Sequence, residues 1–246
     1  ISEYRNQGLR VAVLAVDPSS PVTGGALLGD RIRMQEHALD EGVFIRSMSS
    51  RGQLGGLSSA TLAATRVLDA VGFDVIIVET VGVGQSEVDV VNTVDTVVLV
   101  LAPGAGDGVQ AAKAGILEIA DVYVVNKADR DGAEGVVREL RSMIGLGSAA
   151  SNSWVPEIVT TVATTGQGVA DLVLAISKHH EWAVSSGDRA VRSVERARLN
   201  LRRAVLNSVN ERLDLDAATL NSLSSRVASG ELSTELAVQQ ILQDLS

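Results

Sequence analysis

The sequence contains no cysteine. Disulfides, thiolate metal sites and thiol nucleophiles are thereby excluded, and the chain suits a reducing compartment. Aromatic residues are scarce, with two each of Trp, Tyr and Phe among 246 residues, so the core must be built from Val, Ala and Leu. Such aliphatic packing fits parallel strands covered on both faces, and hence an α/β domain. No apolar run reaches the length of about 18 residues that a membrane span needs, and no signal-peptide pattern opens the chain, so a soluble, cytoplasmic protein is expected. The net charge of −9 argues against nucleic acid or an anionic membrane as the main partner. His37, His179 and His180 have no carboxylate or cysteine at ligand spacing and are expected at the surface, with Trp154 and Trp182 in core or interface packing.

What is present is organised around Asp74-Val75-Ile76-Ile77-Val78-Glu79-Thr80-Val81-Gly82. The β-branched run reads as a strand buried on both faces that delivers Glu79 to the carboxyl edge of a parallel sheet, where open α/β folds bind ligands. Gly82, three residues on, offers a backbone N–H without a side chain in the way. Further strands are expected over 9–16, 42–48, 95–102, 121–125 and 154–162. Helices are expected over 26–40, 57–71, 109–120, 133–144 and 169–183, with a weak one within 84–94. This alternation predicts βαβ units and a mostly parallel, doubly wound sheet. Residues 1–184 read as that domain. Residues 185–246 read as an Arg-rich helical arm for dimerisation or partner docking, with a Ser-rich break over 220–230 and a last helix over 231–245.

Asn126-Lys127-Ala128-Asp129 at the end of a strand carries the most chemistry. A carboxylate there can accept from both the ring N–H and the exocyclic amine of guanine, a match adenine cannot make, and such sites reject the unmatched base by roughly 10⁴. The Lys127 stem would cover the base and Asn126 would brace neighbouring loops. Asp17, Asp30 and Glu79 leave strands or loops of one sheet edge and suit Mg²⁺, a hard cation that takes one or two carboxylates and completes its octahedron with phosphate oxygens. Each is also compatible with a plain structural role, Asp30 most of all beside Arg31 and Arg33. Pro103-Gly104-Ala105-Gly106-Asp107-Gly108 lacks a following Lys-Ser/Thr, so its glycines are assigned to conformational change.

Taken together, these blocks resemble the MeaB/ArgK-type G-protein chaperones of adenosylcobalamin-dependent methylmalonyl-CoA mutase, the family that includes human MMAA. The resemblance lies in Val13–Met34, Val75–Val90, Leu101–Asp121 and Val124–Arg130. It implies a P-loop GTPase fold of the SIMIBI class, GTP/GDP and Mg²⁺ as ligands, a mutase partner and a homodimer. It implies that Asp17, Asp30 and Glu79 are the Mg²⁺-linked acids, that Gly82 senses the γ-phosphate, and that Asn126, Lys127 and Asp129 form the guanine box. Val162-Ala163-Thr164 matches the segment whose backbone meets the guanine oxygen, and the Pro103–Asp107 loop matches a third switch. A kinase of a periplasmic transport protein and a non-hydrolysing mutase-binding module are the alternatives. Nickel-delivery relatives are disfavoured for want of cysteine and clustered histidine. One departure is large: the G-x-x-x-x-G-K-[ST] phosphate loop is missing, since Lys113, Lys127 and Lys178 are the only lysines. Ile1 stands where the helix behind such a loop would end, so residues preceding Ile1 are expected, and without them the sheet would lack its central strand.

Overall fold

The computed structural model describes residues 1–17, 34–49, 59–80, 93–104, 117–146, 153–212 and 217–244. The short helix α1 (Ser2–Asn6) ends at Gly8, whose φ of +79° suits glycine, and leads to strand β1 (Val11–Asp17). There follow a single 3₁₀ turn (Gln35–His37), β2 (Val43–Ser49), α2 (Ser59–Ala70), β3 (Val75–Thr80) and β4 (Val98–Leu101). After a second 3₁₀ turn (Leu117–Ile119) come β5 (Val122–Asn126), α3 (Ala133–Leu146), β6 (Glu157–Thr161) and α4 (Val169–Ser185). Three more helices follow, α5 (Asp188–Arg212), α6 (Ala217–Ala228) and α7 (Thr234–Asp244). No helix among the described residues is long and apolar enough to cross a membrane.

The strands form two three-stranded parallel sheets, ordered β2-β1-β3 and β4-β5-β6. β1 is aliphatic from Val11 to Val16 and β5 is apolar from Val122 to Val125, with Tyr123 among its valines, because a strand with partners on both sides and helices over its faces meets no water on any side. In β1, Val11–Val16 are all buried, and Ala12 and Leu14 pack with Leu68 of α2. In β5 the side chains alternate: Tyr123 and Val125 pack with Leu140 of α3, whereas Val122 packs with Val159 and with Ala175 of α4. This period of two places a helix on each face of that sheet.

By compactness the chain divides into residues 1–192 and residues 193–246. The second unit holds most of α5 with α6 and α7, and its small core includes Leu232 and Ala237. The expected break over 220–230 is instead largely helix, since α6 runs to Ala228. Its serines do not interrupt it: Ser225 Oγ donates to the Asn221 carbonyl, one turn back, at 2.9 Å. The helices expected over 26–40 and 109–120 fall mostly outside the described residues, and the weak one within 84–94 almost wholly so.

Candidate functional site

Two stretches of sheet edge carry the residues singled out above. On the first sheet, β1 ends at Asp17 and β3 at Thr80, with Ala15 opposite Glu79 in register. Glu79 is therefore at the carboxyl edge, where its side chain is exposed, and Asp17 lies two residues beyond Glu79's register partner. Asp30 and Gly82 lie outside the described residues. Among the described residues no three His, Cys, Asp or Glu side chains cluster as a metal site. Of the acids named for this edge, the described Glu79 is an oxygen donor of the kind a hard cation such as Mg²⁺ takes.

On the second sheet the site is built by Asn126. It ends β5 opposite Thr161 of β6. Its Oδ1 accepts from Thr161 Oγ1 at 3.2 Å and from the Ala163 amide at 3.1 Å, tying the two strand ends together. The Ala128 amide donates to the Thr161 carbonyl at 3.0 Å, so the chain leaving β5 is held to β6 for a further step. Between these anchors Lys127 adopts φ +57°, a left-handed conformation uncommon for a side chain of its length. That turn leaves Lys127 and Asp129 both exposed at the edge. Backbone strain of this kind persists where surrounding bonds over-determine it, and here the Asn126 and Ala128 bonds bracket it.

The loop after β6 closes on itself. The Val162 amide donates to the Gln167 carbonyl at 3.0 Å and the Thr165 amide to the Val162 carbonyl at 3.0 Å, which leaves Ala163 to Gly166 as an exposed tip. Gly168 then starts α4 with φ +75°, and a Cβ there would stand 2.1 Å from the Thr160 carbonyl oxygen. Asn126, Lys127, Asp129, Val162, Ala163 and Thr164 thus lie on two adjoining loops of one edge. Thr161 and Gly168 were missed by the sequence reading; the Gly166-x-Gly168 spacing ahead of a helix was the available signal for the second.

Residues 1–218 match the family model described as methylmalonyl Co-A mutase-associated GTPase MeaB. The chain belongs to the MeaB family. Among its relatives, a Pyrococcus horikoshii protein named as a GTPase is 58% identical over 192 residues, covering 77% of this chain and 61% of that protein. GTPase ArgK of Escherichia coli is 40% identical over 208 residues, covering 82% of this chain and 63% of that protein. The chain spans about three fifths of the length of these curated relatives. A solved structure described as LAO/AO transport system kinase superposes with a TM-score of 0.66 at 25% identity, covering 99% of this chain and 74% of that one. The MeaB assignment and this likeness agree with the α/β, parallel-stranded architecture expected from the sequence.

At the opposite, amino-terminal edge of the second sheet this MeaB-family chain holds a buried polar cluster that the sequence reading missed. His179, expected at the surface, is 0% exposed. Its Nδ1 lies 2.8 Å from Thr96 Oγ1, and its Nε2 lies 3.3 Å from Asp121 Oδ1 without forming a hydrogen bond. Asp121 also accepts from the Val97 amide at 2.8 Å and from Arg192 Nη1 at 3.1 Å. Trp154 covers the imidazole edge-on, 5.0 Å between ring centres, and donates its Nε1–H to the Asp121 carbonyl at 2.7 Å. Burial opposes ionisation of Asp121, yet His179, the Val97 amide and Arg192 outweigh it and hold the carboxyl below the usual range. The signal for His179 was its spacing: with Ala175 and Ala183 it repeats every four residues along the buried stripe of α4.

Proposed function

We propose that this chain is the GTP-binding and GTP-hydrolysing part of a cytoplasmic chaperone that gates cobalamin loading and protection of methylmalonyl-CoA mutase. Residues 1–184 serve as the GTPase domain and residues 185–246 as the arm that dimerises or meets the mutase. The observation that carries the guanine assignment is the brace from Asn126 Oδ1 to Thr161 and Ala163. On this reading the exposed Asp129 and Lys127 serve one base together with the Ala163–Gly166 tip, as acceptor, apolar cover and backbone amides. Asp129 accepts from the guanine ring N–H and exocyclic amine, and Val162-Ala163-Thr164 faces the guanine oxygen.

Asp17, Asp30 and Glu79 would hold Mg²⁺, which when bound neutralises charge on the phosphate oxygens. Gly82 would give its amide to the γ-phosphate. The chain's part in hydrolysis is positioning and charge complementarity: water adds to the γ-phosphorus, the bond to the β–γ bridging oxygen breaks, and GDP and phosphate leave. Release of the γ-phosphate would free the loops that carry Asp17, Glu79 and Pro103–Asp107, the means by which nucleotide state reaches the mutase. The dimer reading draws on α5, where the exposed Val191, Val194, Leu201 and Val205 recur at heptad spacing.

The test supplies a phosphate-loop segment ahead of Ile1 and compares GTP with xanthosine triphosphate. Asp129→Asn should weaken GTP binding at least tenfold and improve binding of the xanthine nucleotide, because the amide restores the donor–acceptor match to the altered base. Unchanged GTP affinity in that variant would sink the assignment. Labelled γ-phosphate found on a protein acceptor, and none released free, would replace hydrolysis by the kinase reading named for the solved relative.

A further inference from the structure

The buried cluster at the amino-terminal edge of the second sheet sets two donors against one acceptor atom. Asp121 itself is fixed by its neighbours: its amide donates to the Val97 carbonyl at 2.9 Å, its carbonyl accepts from Trp154 Nε1, and its Oδ2 accepts from the Val97 amide. The other oxygen, Oδ1, is approached from two sides. Arg192 Nη1 of α5 donates to it at 3.1 Å, whereas His179 Nε2 of α4 stands 3.3 Å away outside hydrogen-bonding geometry. Among the described residues Nε2 has no hydrogen-bond partner, although the ring is wholly buried. On a neutral ring the proton belongs on Nε2, because a lone pair there would face a carboxylate, and Nδ1 then accepts from the Thr96 hydroxyl at 2.8 Å. A buried donor is thus left unbonded beside a charged acceptor that Arg192 occupies, an arrangement that costs free energy unless a second one uses it.

The turn that carries Arg192 has a hinge behind it. α4 ends at Ser185 and α5 begins at Asp188, and between them Gly187 has φ +80° with open space where a Cβ would stand. Arg192 is also paired within its own helix, its Nε 2.6 Å from Asp188 Oδ2 one turn earlier. A further tie from this turn, Arg189 to Asp95 at 3.8 Å, is exposed at both ends and therefore weak. If the turn moves outward, Asp188 travels with Arg192, and the guanidinium keeps a partner.

We propose that Asp121 Oδ1 passes between Arg192 and His179, so that the first turn of α5 swings off the second sheet about Gly187 while the carboxylate stays paired. In the closed position Arg192 holds Oδ1. In the open position His179 Nε2–H donates to Oδ1 and Arg192 keeps Asp188. Both positions satisfy the buried carboxylate, which is the requirement for a two-position latch, since a carboxylate left alone in this cluster would oppose release. The latch lies where the compact unit of residues 1–192 ends. It decides whether the helix that continues into residues 193–246 starts from a held turn or a free one.

The test follows exchange of amide and imidazole protons by NMR in the full chain, as wild type, Arg192→Met, His179→Phe and the double variant. Rates are taken relative to the Val124 amide of β5, so that a uniform loss of stability cancels. Methionine keeps the stem of Arg192 and removes its donors. Arg192→Met should speed exchange at Ala190 and Val191, whose amides close the first turn of α5 on the Gly187 carbonyl, by tenfold or more. It should leave the Val97 amide as slow as in the wild type, because His179 then holds the carboxylate that accepts from Val97, and it should slow exchange of the His179 Nε2–H at least tenfold. His179→Phe alone should leave Val97 slow, and the double variant should speed it tenfold or more. Val97 speeded as much in Arg192→Met as in the double variant would overturn the latch, and so would an unchanged Nε2–H in Arg192→Met or unchanged amides at Ala190 and Val191. A wild-type Nε2–H already as slow as in Arg192→Met would do the same. The Arg192→Met readings decide the matter by themselves where the double variant does not fold.

Discussion

Replacing Asp121 by asparagine keeps the shape of a buried side chain and removes its charge. In the wild type, Oδ2 accepts from the Val97 amide and both oxygens face Arg192 Nη1, at 3.1 and 3.3 Å, with His179 Nε2 at 3.3 Å. The carboxamide of the variant can still accept from the Val97 N–H, but the charge-assisted bond to Arg192 is lost and an amide N–H₂ is turned toward a cation or the ring. Breaking a fully buried ion pair costs about 3–5 kcal/mol. Arg192 is about one third exposed, so water recovers part of the loss, and about 2–3 kcal/mol remains, near the range for one bond to a charged group. For a chain of this size that is a drop of about 4–12 °C in Tm. The pH dependence gives the sharper check. The folded-state carboxyl titrates below its ordinary value, so its contribution is complete above the unfolded pKa of about 3.9. It is lost as pH falls through the lower folded value. The gap between wild type and Asp121→Asn, read from urea midpoints by circular dichroism, should therefore be constant from pH 7 to about pH 5 and close below about pH 4. A gap that persists undiminished at pH 3, or one below about 0.5 kcal/mol at pH 7, the ordinary size for a surface substitution, would refute the argument.

Gly168→Ala combines a left-handed φ with a Cβ placed 2.1 Å from the Thr160 carbonyl oxygen, whereas Gly166→Ala has φ +77° and open space. The first should lose about 2–4 kcal/mol, by left-handed strain plus overpacking, the second about 1–2 kcal/mol. Equal urea midpoints for the two variants would contradict the packing. Asn126→Ala removes the acceptor for Thr161 and Ala163; it should cost about 1–2 kcal/mol and speed exchange of the Ala163 amide, with little change at Val124. Ala163 exchange unaltered in that variant would show that the brace does not form in solution.

Strands built on an unbroken apolar run were legible because nothing competes with that pattern, and β1, β3 and β5 fall within one or two residues of the expected bounds at each end. Strand ends were less so, for reasons that lie in side chains far along the sequence. The strand expected from Asp95 is assigned only from Val98, since Thr96 is taken by His179 and the Val97 amide by the Asp121 carboxylate. The strand expected from Trp154 starts at Glu157: Trp154 is bound to the Asp121 carbonyl, and Pro156 has no N–H for a ladder. His179 was misread because Lys178 and His180 flank it, and local polarity masked the buried four-residue spacing. The Asn126-Lys127-Ala128-Asp129 loop was legible as a tetrapeptide at a strand end. Its partner Thr161 was not, because only the register between β5 and β6 sets Asn126 opposite it.

That register makes the loop edge proposed for the base a product of the protein's own bonds. Asn126 holds β6's end and the Ala163 amide, the Ala128 amide holds Thr161, and Gly168 admits the Thr160 carbonyl beneath the start of α4. Each of these contacts is made between residues of the chain itself, and order held by such contacts lowers the ordering cost of binding. On the first sheet the exposed Glu79 stands at the carboxyl end of β3, one residue before Thr80. On the guanine reading proposed above, the pre-formed edge of the second sheet should distinguish a guanine nucleoside from an adenine nucleoside in direct binding, and equal binding of the two would contradict it.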